Sequence, residues 1–403
     1  MRIKMKTLFL DVEKIKNTHG AAVARAAEEL QSLYTNGIYR WYASLWDKDI
    51  GGFYYSESAR DNEGFLPDIE STSQLLGYVE ELGICNTLME LPESMKRKLI
   101  KFIQGLQDKD DGYFYHPQWG KGVNESRKAR DMNNAVNTLK KLGAAPLYPT
   151  AVERIEAAYK NNSLNSEGNT VPEYLRSADA LTEYLKSFKI NENSYPAGHK
   201  VTCISGQVKA AGFADLCGEF LDCTQYENGL WEEKLSYQAS NGLMKISCAY
   251  TNLGRPFPHL DRAFDSAIDI AVADIPTSAI VDVFNPPYTL LNLLENMKLT
   301  GDEENYAKAK ARLRERAVEL LEATKKKVEV FLKPNGSFSY LPKASCPTSQ
   351  GCRASLGVNE GDVNGTSLGL GSRKRTLRII DIDPSGCCDE RDREVFFDLL
   401  GET

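Results

Sequence analysis

The apolar residues of this chain recur mostly three and four positions apart, a spacing that places them on one face of an α-helix. There is no comparable set of short segments in which apolar and polar residues alternate, as they do in half-buried strands. The prolines stand between the periodic segments, where the ends of helices tolerate them. We therefore predict an all-α protein. The periodic segments are Ala21–Trp46, Ile69–Leu82, Met95–Leu106, Lys128–Leu142, Ala151–Tyr159, Tyr174–Phe188, Cys203–Leu221, Leu230–Tyr250, Arg262–Ala273, Tyr288–Met297, Glu303–Val330 and Asn364–Ile380.

The helical pattern runs through nearly the whole chain without interruption. No glycine- and serine-rich linker and no low-complexity stretch divides it. The sequence therefore predicts one domain over residues 1–403, with an N-terminal extension at 1–20 and a C-terminal segment at 381–403.

A short turn motif recurs between the predicted helices. A glycine, usually after a polar residue, is followed by apolar or aromatic residues, as in Gly51-Gly52-Phe53, Asp111-Gly112-Tyr113 and Asn335-Gly336-Ser337-Phe338. Glycine accepts the positive φ of a tight turn, and the residues after it can pack back onto the neighbouring helices. The motif is typical of helical hairpins whose turns lie on one rim.

Two stretches resemble known helical families. Phe102-Ile103-Gln104-Gly105-Leu106-Gln107, followed by Asp110-Asp111-Gly112-Tyr113-Phe114, resembles the repeats of terpenoid cyclases and protein prenyltransferases. Arg40-Trp41-Tyr42, with Trp46-Asp47-Lys48-Asp49-Ile50-Gly51-Gly52-Phe53, resembles the N-acylglucosamine 2-epimerases. The length is also similar to that of unsaturated glucuronyl hydrolases and of the toroid domains of polysaccharide lyases. The resemblance implies an α/α toroid, a ring of helical hairpins around a central cleft. The histidine cluster of the epimerases is absent.

Composition and charge narrow the partners that we expect. Lys and Arg number 49 against 56 Asp and Glu, a net charge of −7 that is spread along the chain. Nucleic acids and anionic membranes require a concentrated basic face, so we expect neither as a partner. No apolar stretch approaches the roughly 18 residues of a membrane span, and the apolar part of the N-terminus is too short for a signal peptide. The expected partner is a small molecule or an oligosaccharide, and the pattern indicates no particular oligomeric state.

The cysteines indicate a reducing compartment. Nine of them, an odd number, are scattered along a long chain, unlike a secreted disulfide framework. We therefore expect reduced thiols and a cytoplasmic location. The four histidines and nine cysteines lack the convergent spacing of zinc ligands, so we expect no metal and no cofactor.

Two predicted loops place paired carboxylates just before a helix. One contains Asp68 and Glu70, and the other contains Glu360 and Asp362. Paired carboxylates perform glycoside hydrolysis, one as acid and the other as base or nucleophile. The alternative is structural, because Asp before a helix is a common N-cap and Glu a common residue of the first turn.

A second candidate group lies in the middle of the chain. His199, Tyr250 and His259 could move a proton next to a sugar carboxylate, and Arg255 could hold that carboxylate with two hydrogen bonds. The alternative is that histidines next to glycine and proline are only solvent-exposed loop residues.

Aromatic residues crowd the first third of the chain. Tyr and Trp stack on sugar faces, although the same rings could simply fill the core. The candidate substrate-binding residues are Trp41, Trp46, Tyr54, Tyr115 and Trp119, together with Arg255 and Asn285.

These residues favour a carbohydrate-active enzyme, a glycoside hydrolase or a polysaccharide or oligosaccharide lyase. Two alternatives stay open. An isoprenoid cyclase or prenyltransferase-like enzyme would use Asp108-Lys109-Asp110-Asp111, or a zinc site at Asp215, Cys217 and His259. The other alternative is a toroid that binds a ligand without catalysis. An acidic and polar cleft would favour sugars, and an aliphatic and aromatic tunnel would favour isoprenoids.

Overall fold

The computed structural model describes residues 5–154, 173–385 and 387–401, and these residues are mostly helical. The prediction of an all-α protein is confirmed. The described α-helices are α1 (Val12–His19), α2 (Ala21–Gln31), α3 (Gly37–Ser44), α4 (Glu57–Asp61), α5 (Ile69–Glu81), α6 (Glu93–Gly105), α7 (Glu125–Lys141), α8 (Ala178–Lys186), α9 (Ser194–Ala210), α10 (Ala214–Thr224), α11 (Tyr237–Leu253), α12 (Leu260–Val272), α13 (Val281–Thr300), α14 (Glu303–Glu315), α15 (Ala317–Val328), α16 (Val363–Ile379) and α17 (Glu390–Leu400).

The remaining regular structure is short. Single 3₁₀ turns occupy Leu88–Glu90, Glu173–Leu175 and Glu329–Phe331. Strands β1 (Trp46–Asp47) and β2 (Gly52–Phe53) form one antiparallel hairpin, and β3 (Thr348–Ser349) and β4 (Cys352–Arg353) form another. In the part of the chain that the structure describes, these hairpins and isolated bridges are the only β-structure.

Several predicted helices have different bounds. The segment 21–46 breaks between α2 and α3, where the chain bonds to the N-terminal segment instead. Leu8 N–H donates to Tyr34 O, and Asn36 N–H donates to Lys6 O, each at 2.8 Å. The segment 303–330 divides at Arg316, and 203–221 divides at Gly212, whose φ is +80°. Of the predicted helix at 151–159, only 151–154 lie within the described residues, and these are helical.

The expectation that the prolines stand between helices is wrong for Pro196, which lies in the first turn of α9, and for one further pair. Pro286 and Pro287 lie inside α13. Proline has no N–H, so the carbonyls of Asp282 and Val283 lose their usual intrahelical partners there. The predicted start of this helix, at Tyr288, therefore came about two turns too late.

Six helices pack in a series that positions the polar residues discussed below. α7 contacts α5, α5 contacts α16, α16 contacts α13, α13 contacts α11, and α11 contacts α9. We call these helices the six-helix series. Other helices pack on it: α15 lies against α2, α12 and α16, whereas α10 lies against α8 and α9. Aliphatic and aromatic side chains between the two sets form the main hydrophobic core.

The turn motif and the next long helix are joined in the same way at two places. In the first, Phe53 N–H donates to Thr72 Oγ1 at 3.0 Å, and Phe53 O accepts from Asp68 N–H at 3.3 Å. In the second, Phe338 N–H donates to Thr366 Oγ1 at 3.0 Å, and Phe338 O accepts from Asp362 N–H at 3.0 Å. Both helices begin with Asp-x-x-x-Thr. The two units are a structural repeat.

The two copies of this repeat lie side by side, although about 290 residues separate them in the chain. Ser56 and Asp362 form an isolated antiparallel bridge, and Val363 N–H donates to Tyr55 O at 2.9 Å. α5 and α16 also pack together. The first and last turn motifs of the fold are therefore neighbours in space.

A search of the described helices for a membrane span was negative, because none combines the necessary length with sufficiently apolar residues.

The repeat makes a stability prediction. In Thr366→Val the buried N–H of Phe338 loses its acceptor, so the free energy of unfolding should fall by about 1–3 kcal/mol. Urea denaturation followed by circular dichroism measures this difference. Thr18→Val is the matched control, because the Thr18 hydroxyl only donates to Lys14 O within exposed helix α1. The control should stay within about 0.5 kcal/mol of the parent. Equal stabilities of the two variants would contradict the role given to Thr366.

Candidate functional site

A buried arginine joins the first turns of α5 and α7. α7 begins beyond Asn124, whose side-chain oxygen accepts from Arg127 N–H at 2.9 Å. The guanidinium of Arg127 is completely buried and forms three ion pairs with carboxylates. Its Nη2 lies 3.2 Å from Asp68 Oδ1, its Nη1 lies 3.0 Å from Glu70 Oε2, and its Nε lies 2.9 Å from Asp131 Oδ2. Because a buried guanidinium needs such partners, this cluster fixes α7 against α5.

The same cluster attaches the second hairpin. Ser349, in β3, donates from Oγ to Glu70 Oε2 at 3.1 Å, and its carbonyl oxygen lies 3.4 Å from Arg127 Nη1. The other oxygen of Glu70 pairs with Arg130, which is half exposed. The centre of the Trp119 ring lies 4.3 Å from the guanidinium carbon of Arg127. Both oxygens of Glu70 are thus engaged by cations.

Asp131 is the chemically unusual member of the cluster. It is buried, and its Oδ1 has no hydrogen-bond partner among the described residues. Burial raises the pKa of Asp131 to about 7, and the nearby carboxylates of Asp68 and Glu70 add to this effect against the lowering by Arg127. Near neutral pH this carboxyl group can take up or release a proton.

The second predicted carboxylate pair lies beside the first repeat. Asp362 caps α16: its Oδ1 accepts from Gly365 N–H and its Oδ2 from Tyr340 N–H, both at 2.7 Å. Burial raises the pKa of Asp362 to about 6, while these N–H donors lower it. Glu360 accepts from the backbone and side chain of Ser58, at 2.7 and 2.5 Å, and from Ser345 Oγ at 2.9 Å.

The buried hydroxyl of Tyr55 lies between the two predicted pairs. Burial raises the pKa of Tyr55 well above its ordinary value, and the negative charges of Asp362 and Glu70 raise it further. The structure thus brings Glu70 and Asp362 to the same tyrosine. Asp68, like Asp362, is an N-cap, since it accepts from Ser71 N–H at 2.9 Å. Their catalytic role stays a prediction.

His199 lies on the exposed face of α9. Burial of part of the ring lowers the pKa of His199, and the positive charges of Lys245, on α11, and Arg130, on α7, lower it further. Lys245 Nζ also lies 6.0 Å from the centre of the Tyr195 ring. Burial and two cations from other helices therefore all favour the neutral form of this imidazole.

The other residues of the middle group are occupied by structural contacts. Tyr250 is buried, and its hydroxyl donates to Asp222. Arg255 pairs with Asp215 at 2.6 Å and with Asp222 at 3.4 Å. His259 precedes α12 with a φ of 42°. These residues lie in or beyond the last turn of α11, whereas Lys245 lies at its middle, so the structure does not place them with His199.

The predicted aromatic residues are dispersed. Trp119 is in the Arg127 cluster and stacks on His116 with the ring centres 4.1 Å apart. Trp41 is buried in the core, and Trp46 packs on Phe53. The hydroxyls of Tyr54 and Tyr115 donate to Asp47 and Asp111, at 2.9 and 2.8 Å. Asn285, on α13, donates to Asn241 Oδ1 on α11 at 2.6 Å.

The motifs behind the isoprenoid alternative are engaged elsewhere. Asp108 Oδ1 accepts from the N–H groups of Asp110 and Asp111, so this stretch closes a turn. Cys217 is buried, whereas Asp215 is exposed and paired with Arg255. Across residues 5–154, 173–385 and 387–401, no group of three or more His, Cys, Asp or Glu side chains is arranged to hold a metal ion.

The sequence analysis missed Arg127, Arg130, Asp131 and Lys245. Arg127 did not stand out because the predicted helix began one residue later, at Lys128. A signal was present: Arg127 and Asp131 are four residues apart, as ion-paired residues on one helix face are.

Comparisons with models of protein families, with curated proteins and with solved structures found no match to this chain.

The raised pKa of Asp131 predicts how stability depends on pH. The folded state holds its proton up to about pH 7, whereas an unfolded Asp loses it near pH 4, so this group's contribution to stability falls between these values. Asp131→Asn has no proton to lose. The free energy of unfolding of the parent should therefore fall relative to that of Asp131→Asn as the pH rises from 4.5 to about 7.5.

Urea denaturation at several pH values measures this difference. Asp110→Asn, a substitution in the exposed turn, controls for the loss of a carboxylate elsewhere. Parallel stability profiles of parent and Asp131→Asn across this range would contradict the assignment.

Proposed function

We propose that the six-helix series closes into an α/α toroid with a polar interior. Side chains at successive positions support this arrangement: Glu70 with Arg130 joins α5 and α7, and Lys245 with Tyr195 joins α11 and α9. Asn241 with Asn285 joins α11 and α13, and the rings of Phe284 and Tyr288 on α13 lie 4.1 and 4.7 Å from the guanidinium of Arg375 on α16. The influence of Arg130 on His199 brings α7 to α9 and completes the circuit.

The interior of this toroid binds an acidic carbohydrate. Arg130, His199 and Lys245 come from three different helices, α7, α9 and α11. A uronate carboxylate between Arg130 and Lys245 would have its charge neutralised. Tyr195, half exposed next to Lys245, offers a ring for stacking and a hydroxyl for hydrogen bonding. This polar and cationic lining suits a sugar acid better than an isoprenoid.

The reaction that these groups support best is β-elimination from a uronic-acid residue, so the chain acts as a polysaccharide or oligosaccharide lyase. The neutral imidazole of His199 takes the proton from C5, next to the carboxylate that the cations hold. The C4–O bond breaks, a C4=C5 double bond forms, and the Tyr195 hydroxyl gives a proton to the leaving oxygen. Positioned general bases and acids of this kind contribute about 10²–10⁴-fold each.

The observation that carries the proposal is that the positive charges of Lys245 and Arg130, from two other helices, both lower the pKa of His199. A cation lowers the pKa of a neighbouring imidazole, which keeps the ring unprotonated and therefore able to accept a proton. When the same cation holds the carboxylate, it also acidifies the proton on the adjacent carbon. A hydrolase would instead need two carboxyl groups free to reach the sugar. Here Asp68, Glu70, Glu360 and Asp362 are all engaged by protein donors.

The lyase activity is tested on a panel of polyuronates, with neutral polysaccharides as negative controls. The new double bond, conjugated with the carboxylate, absorbs in the ultraviolet, and its appearance measures elimination. His199→Gln should lower kcat by about 10²-fold or more. Lys245→Met should raise KM and also lower kcat, because it removes a charge that binds the carboxylate and acidifies the proton on C5.

His19→Gln is the matched control, since it removes a histidine from α1, and it should leave kcat unchanged. The melting temperatures of all variants check that the fold is intact. Release of reducing ends without the ultraviolet signal would show a hydrolase and contradict the lyase. Tight binding of polyuronates without any turnover would show a binding protein and contradict an enzymatic role.

A further inference from the structure

A groove of about 670 Å³ lies between α13, α14 and α16. Cations dominate its lining although the chain as a whole has a net charge of −7. They are Lys298 from α13, Lys310 from α14, and Lys374, Arg375 and Arg378 from α16. The lining carboxylates are Glu295 and Asp381, so positive charge is in excess there.

Three of these cations are not consumed by ion pairs. Over the described residues, Lys298, Arg375 and Arg378 form no salt bridge with a carboxylate. The other two have partners, since Lys374 pairs with Glu81 and Lys310 with Asp381, each at 2.6 Å. A cation that lies in a groove without a carboxylate partner can pair with an anion from solution.

Arg375 is held in place by packing instead of by charge. Its guanidinium lies 4.1 Å from the ring centre of Phe284 and 4.7 Å from that of Tyr288. Gly371 makes room for this stack, because a Cβ there would come within 2.5 Å of Phe284 and 2.7 Å of Arg375 Nη1. Lys298 lies over the ring of Tyr306, 4.9 Å from its centre. The aromatic rings orient these charges, and Arg375 Nη1 also donates to Gly371 O at 3.4 Å.

This groove is separate from the proposed lyase site. Asp362 caps the start of α16, whereas Arg375 lies 13 residues further along, which is about 20 Å at 1.5 Å per residue. Arg378 is near the end of α16 and Lys298 near the end of α13. The residues that line the groove do not include Arg130, Tyr195, His199 or Lys245 of the proposed sugar site.

We propose that this groove binds a small molecule that carries phosphate groups. Several unpaired cations on separate helices suit a multiply charged anion with oxygens directed to different sides, whereas a single carboxylate needs only one guanidinium. Tyr288 and Tyr306 in the lining provide surface for the organic part of such a molecule.

Isothermal titration calorimetry of the full chain with inorganic pyrophosphate, at constant ionic strength, tests the proposal. Saturable binding at one site is expected. Lys298→Glu and Arg378→Glu change exposed side chains and should each weaken binding about tenfold or more. Arg375→Met, which retains an apolar contact with the two rings, should weaken it comparably. Lys234→Glu makes the same charge change on another exposed surface and should alter the affinity less than about twofold.

Absence of saturable binding would overturn the proposal, and so would equal losses in Lys234→Glu and the groove variants. Citrate, a carboxylate anion of high charge, should bind more weakly than pyrophosphate. Equal or tighter binding of citrate would overturn the assignment to phosphate. None of these outcomes depends on lyase activity, so this proposal and the proposed function can fail separately.

Discussion

The guanidinium of Arg127 is the contact on which the proposed site depends. It is completely buried and forms ion pairs with three carboxylates from two helices. It also donates a hydrogen bond to a carbonyl oxygen of the second hairpin. Removal of one partner from a buried ion pair typically costs about 3–5 kcal/mol, because the remaining charge is left without compensation. Arg127 therefore fixes the first turn of α7 relative to α5. One turn further along α7, Arg130 is placed between Glu70 and the region of His199.

The structural repeat serves the same region by a different interaction. At both Asp68 and Asp362, a carboxylate caps a long helix, and a threonine four residues later binds the backbone of a turn motif. One carboxylate of each predicted catalytic pair is therefore an N-cap whose burial is balanced by N–H donors. The ligand-binding residues that we propose lie on other helices, α7, α9 and α11.

Much of the fold could be predicted from the sequence, because apolar residues at helical spacing directly report the buried face of a helix. The core of α5, α6, α12 and α16 was located in this way to within a few residues. The break between α2 and α3 could not be predicted, since it depends on hydrogen bonds with the N-terminal segment at Lys6 and Leu8. The prolines of α13 misled for a related reason: its packing against α11 and α16 retains the helix despite two missing N–H donors.

The site was less accessible to prediction. His199 could be singled out by residue type, but its neighbours Arg130 and Lys245 come from helices far apart in sequence. Only the folded chain brings these charges together. The alternative interpretation of Asp68 and Asp362 as N-caps followed from their positions before periodic segments, and the capping contacts are present in the structure. Tyr250 and Arg255 have their own carboxylate partners, which no spacing rule indicated.

The central claim is that an anionic sugar lies next to His199, and an NMR titration of the imidazole tests it directly. The chain has only four histidines, so the resonances can be assigned by substitution. In the free protein, His199 should titrate below its ordinary pKa, because of burial and of the charges of Lys245 and Arg130. With saturating glucuronate the pKa of His199 should rise, since the carboxylate offsets those charges. An unchanged pKa of His199 in the saturated complex would contradict the account.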